Sequence, residues 1–78
     1  MAEKTDANRI KEIYELCKDH FGDVHFVGVK YQNKIGWIAK AELSDEFENL
    51  TADGKTSTDG LRKLKNRVKK IIKRYNEV

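Results

Sequence analysis

Three groups of side chains in this chain have the types that chemistry needs. Cys17, His20 and His25 are its soft metal ligands. Cys17 and His20 stand three apart, which makes them neighbours on a helix. A structural zinc site takes four ligands, however, and only Asp19 or Asp23 is placed to complete this set. Gly54-Lys55-Thr56 ends like a phosphate-cradling nucleotide loop, but the pattern needs a glycine five residues before Gly54, and Asn49 stands there. Ser57 and Thr58 offer hydroxyl nucleophiles without a recognisable triad around either histidine, and they fit a helix cap better. Cys17 falls in an apolar stripe, where a thiol packs as a small hydrophobe. The reading is a chain with no catalytic centre, cofactor or metal site.

Charge is the stronger signal. Lys and Arg number 16 and Asp and Glu 13 in 78 residues, a net charge of +3. Residues 61–78 hold eight basic side chains against Glu77 alone, a net +7, which leaves −4 on the first 60 residues. A smaller acidic cluster comprises Glu42, Asp45, Glu46, Glu48 and Asp53. Cations that meet phosphates release condensed counterions and give affinity without sequence readout, so Lys63, Arg67, Lys70 and Arg74, with Lys55 at the helix start, form a candidate nucleic-acid surface. The competing reading is a solvated helix face, partly neutralised by the acidic strand. No aromatic is interleaved on the basic face. Tyr31 and Trp37 are assigned to core packing rather than to an exposed platform.

The elements that must position these groups follow from periodicity. Ile10, Ile13, Tyr14, Cys17 and Phe21 line one side of a helix over about 6–21, capped by Asp6 and stopped by Gly22. Val24 to Tyr31 and Ile35 to Leu43 read as strands joined by a short hairpin at Gln32-Asn33-Lys34, where Asn33 tolerates positive φ. A three-residue loop sets Val29 opposite Trp37 and buries the Trp37 face. Val24 falls on the opposite face, with Phe26 and Gly28. Glu46 to Ala52 reads as a weaker, acidic edge strand, ended by Asp53-Gly54. Thr56 to Asp59 fits a capping box, and Leu61, Leu64, Val68, Ile71, Ile72 and Tyr75 carry a last helix over about 57–76. The fold class is α+β: a two-layer sandwich in the order α-β-β-β-α, with two helices on one face of a three-stranded antiparallel sheet. It forms a single domain over residues 1–78, with 1–5 a loose lead-in.

Residues 52–61, from Ala52 through Gly54, Thr56 and Gly60 to Leu61, with Leu64 and Val68 behind them, resemble the strand-to-helix junction of HicB-type antitoxins. Gly60 stands where alanine is usual in that family. The resemblance implies a small protein that neutralises a toxin. The element order is also similar to double-stranded-RNA-binding domains, whose lysine cluster at the start of the last helix has its nearest counterparts here in Lys55, Arg62 and Lys63.

A small non-catalytic binding domain follows from these readings, leaning to contact with RNA or DNA phosphates through the basic last helix. The alternative is a protein-interaction module, such as an antitoxin-like or accessory protein of a phage or other mobile element. It would meet its partner through Asp45, Glu46, Phe47 and Glu48 by strand addition or charge matching. The single cysteine, the lack of a signal peptide and the lack of a long apolar run point to a cytoplasmic protein without a membrane span.

Overall fold

Helix α1 spans Asp6–Phe21, strands β1 to β3 span Val24–Gln32, Gly36–Leu43 and Leu50–Gly54, and helix α2 spans Ser57–Asn76. The computed structural model describes residues 5–44 and 47–76. The sheet is antiparallel in the order β1-β2-β3, and both helices lie on one of its faces. The fold is the expected α-β-β-β-α two-layer sandwich. No helix among the described residues is long and apolar enough to cross a membrane.

The apolar stripes of both helices meet a strand face of small and branched residues. Ile13, Cys17 and Phe21 of α1 and Leu61, Leu64, Val68 and Ile72 of α2 enclose Ala39, Ala41 and Leu43 of β2 and Leu50 of β3. Ala39 and Ala41 are fully buried, and their small side chains let α2 approach the middle strand closely. The helices run parallel. Asp6 of α1 receives hydrogen bonds from Ser57 and Thr58 at the start of α2, Glu12 pairs with Lys65, and the Phe21 ring meets Tyr75 near the other end.

The α1 cap differs from expectation. Thr5 caps the helix, its hydroxyl accepting from the Asn8 amide at 3.2 Å. Asp6 is the first helical residue instead, and its carboxylate is used by α2. Gly22 closes α1 at φ 82°, where its amide donates to the Lys18 carbonyl. Thr56 caps α2 as predicted, accepting from the Asp59 amide at 3.1 Å.

The hairpin keeps a three-residue loop but moves it one residue along, to 33–35. Tyr31 therefore faces Trp37, and Val29 faces Ala39 rather than Trp37. The pairing shifts by an even step, so the faces survive. Lys34, not Asn33, takes the positive φ of 73° at the second central turn position. A bulge at His25 breaks the alternation of β1 between Val24 and Phe26, which returns Val24 to the inner face opposite Leu43.

β3 begins four residues later than the acidic pattern predicts. The Phe47 amide donates to the Ser44 carbonyl at 2.9 Å, and the Asn49 side chain accepts from the Leu43 amide at 3.1 Å, so the described backbone before Leu50 bonds outside the ladder. Phe47 leaves strand geometry to join Phe21 and Tyr75 in an aromatic trio, with centroids 5.0 and 6.1 Å away.

Two glycines mark the β3–α2 junction. A Cβ on Gly54 would come within 2.6 Å of the Gly60 amide nitrogen and 2.9 Å of the Asp59 carbonyl carbon, both backbone atoms that cannot step aside. A Cβ on Gly60 would meet Ala39 at an ordinary 3.6 Å. Gly54→Ala should therefore cost about 1–3 kcal/mol by forcing α2 off the sheet. Gly60→Ala should stabilise by roughly 0.5–1 kcal/mol through helix propensity. Urea unfolding of the two variants measures both; equal signs would contradict the junction geometry.

Candidate nucleic-acid interface

A helix rises about 1.5 Å and turns about 100° per residue. Lys63, Arg67, Lys70 and Arg74 consequently fall within a stripe about 60° wide and some 16 Å long on α2. All four are exposed. Lys63, Lys70 and Arg74 make no hydrogen bond or ion pair among the described residues. Arg67 donates Nη1 to the Thr51 carbonyl of β3 at 2.9 Å, tying the helix to the sheet edge while most of its guanidinium donors stay available. Lys55 is exposed beside the start of the same helix.

The opposite flank of α2 behaves differently. Lys65 donates to Glu12 at 2.6 Å, and Lys69 shares a shallow interhelical cleft with Glu12, Glu15 and Asp19. Among the described residues, the acids set against the basic helix on this flank come from α1. Of the acidic cluster, Glu42 in β2 pairs with Lys40 at 2.9 Å on the far face of the sheet, and Glu48 lines a groove with Arg74. Lys63, Lys70 and Arg74 stand on the side away from α1, with no such acid beside them among the described residues except Glu48 in the groove of Arg74.

Asp6 organises the other end of the helix pair. Its carboxylate accepts from Ser57 Oγ and, at 2.9 Å, from Thr58 Oγ1, with the Arg9 guanidinium 3.5 Å away. The two hydroxyls are thereby committed to holding α1 against α2. From its neighbours Asp6 reads as a cap, because its true partners lie more than fifty residues away.

Cys17 is fully buried in the core, where desolvation pushes its thiol up to about 11. It therefore points away from the exposed His20 rather than joining it. No group of three or more His, Cys, Asp or Glu among the described residues is placed to hold a metal ion. Tyr31 and Trp37 do not join the core. They pair edge to face at 5.5 Å beyond the helical cover, and Tyr31 is 62% exposed.

The residues proposed for a protein partner are only partly placed. Asp45 and Glu46 lie outside the described residues. Phe47 is half-buried in the aromatic trio, and Glu48 is exposed at the rim of a groove of about 490 Å³. Phe21, Leu43, Phe47, Leu50, Ile71 and Tyr75 line that groove, and Arg74 is its cation. Comparison with known families, curated proteins and solved structures gives no match for this chain.

Hydrogen bonds from Ser57 and Thr58, joined by the Arg9 charge, hold the Asp6 carboxyl below its ordinary value, against a smaller opposing effect of burial. A lowered native value means that the clamp's stabilisation is complete above about pH 4, where the unfolded carboxyl is ionised, and fades as pH falls through the native value. Asp6→Ala should cost roughly 1 kcal/mol at neutral pH, a modest figure because the side chain is 35% exposed. The difference from the parent should shrink in thermal melts taken towards pH 2. An Asp6→Ala penalty that grew on acidification would contradict the assignment.

Proposed function

We propose that this chain is a non-catalytic, cytoplasmic binding domain that holds nucleic-acid phosphates along the outer side of α2. The segregation of charge carries the reading. On the α1 side Lys65 pairs with Glu12 and Lys69 faces a cleft lined by Glu12, Glu15 and Asp19, whereas Lys63, Lys70 and Arg74 stand exposed in a line with no partner among the described residues. A solvated helix face has no need to sort its charges in this way. Lysines and arginines spaced along one helix side match the repeating charge of a phosphate backbone, and contacts of this type position a chain without reading sequence.

The protein-interaction alternative has weaker support. Strand addition needs an open edge, and Arg67 occupies a carbonyl of edge strand β3. Phe47, its proposed anchor, is held by Phe21 and Tyr75.

Four phosphate contacts imply a slope of log affinity against log salt of about −3 to −4, hence a loss of roughly a hundredfold between 50 and 200 mM salt. Fluorescence polarisation with labelled oligonucleotides of unrelated sequence should show this slope and little sequence preference. Replacing both Lys63 and Lys70 by Ala should bring the slope to about −2. Failure to retain any single strand or duplex at low salt would sink the proposal.

A further inference from the structure

We infer that the groove at the C-terminal end of the helix pair receives an unpaired nucleobase whose phosphate is held by Arg74. This rests on the phosphate-binding reading of α2 and names what that reading leaves open, the form of the nucleic acid. Arg74 belongs to both features: it ends the stripe begun by Lys63 and it lines the groove. A backbone following the cations towards the end of α2 is delivered to the groove's mouth.

The groove suits a flat, partly apolar group. Its volume of about 490 Å³ falls within the range of roughly 300–1,000 Å³ typical of small-molecule sites. Tyr75 meets Phe21 and Phe47 at interplanar angles of 75° and 88°, yet it is 59% exposed. Two rings therefore brace it while much of its surface stays open, the condition for a stacking platform. The charged members of the lining orient the ligand. Arg74 attracts a phosphate, and Glu48 repels one, so the phosphate sits on the Arg74 side and the base turns inward. An alkyl chain or an apolar protein side chain would fill the groove but would leave the row of cations leading into it unmatched. A polyanion carrying flat bases satisfies both.

Bases in a duplex are already stacked and are extruded only at a cost, so the site selects single strands, loops or frayed ends. Polarisation at low salt, with a short labelled single strand and its blunt duplex, tests this. The single strand should bind more tightly. Tyr75→Ala should weaken single-strand binding by about five- to a hundredfold, the effect of one lost stack, and leave duplex binding unchanged. Tyr75→Phe should retain it, because the ring rather than the hydroxyl carries the contact. Tyr31→Ala, which removes the exposed aromatic at the far end of the domain, should alter neither. Tyr75→Ala also gives up its edge-to-face contacts with Phe21 and Phe47, so its melting point should fall by several degrees, and its unchanged duplex binding shows that the fold is kept. Salt-dependent binding that treats both forms equally, or that ignores Tyr75→Ala, overturns the base site and leaves the phosphate stripe standing. Absence of binding to both forms overturns the two together.

Discussion

Two helices laid parallel on one sheet face bring like ends of their dipoles together. The partial positive charge at each N-terminus then has the other as its neighbour, an arrangement that repels unless a negative group intervenes. Asp6 is that group. It sits in the first turn of α1 and takes hydroxyl donors from the first two residues of α2. Everything downstream depends on this alignment. It sets Glu12 beside Lys65, carries Phe21 to Tyr75, and turns the remaining cations of α2 outward. At the opposite ends, Lys18 and His20 of α1 and Lys73 and Arg74 of α2 complement the paired negative poles.

Elements with long periodic signals were legible almost to the residue, and those with short signals were not. Both helices span the ranges that their apolar spacing predicts, 6–21 and 57–76. Strand β3 lacked such a signal. Its acidic lead-in alternates weakly, and the pull on Phe47 comes from rings at the ends of two distant helices. Local sequence holds no trace of that pull. The same separation hid the role of Asp6, which reads as a cap from its neighbours and becomes a clamp only when α2 arrives. Alternation along β2 identified the buried face correctly but not its depth. Near its start, at Gly60, α2 lies over Ala39, so Trp37, two residues nearer the hairpin, falls past the helical cover.

The candidate interface was half visible in the same sense. The positions Lys63, Arg67, Lys70 and Arg74 share a side of any ideal helix, and the sequence contains that fact. Which cations would be cancelled was not contained in it, because cancellation depends on which neighbour packs alongside. The acidic residues near β3 looked suited to that role by number, yet among the described residues the acid paired with an α2 lysine is Glu12 of α1. Net charge is a property of composition, whereas usable charge is a property of packing. A domain with a small total charge can in this way keep one strongly cationic side.

The hairpin end carries a different consequence. Trp37 is the chain's one tryptophan, and it leans on Tyr31 outside the core cluster rather than within it. Its emission consequently reports the opening of the sheet end where β2 lies between Tyr31 of β1 and Gly54 of β3, while ellipticity reports the two helices. Local opening can precede global unfolding wherever few apolar contacts hold a segment. A fluorescence transition that ran ahead of the helical one would thus signify fraying at this end of the sheet, and agreement between the two probes would show that the sheet end and the core melt as one unit.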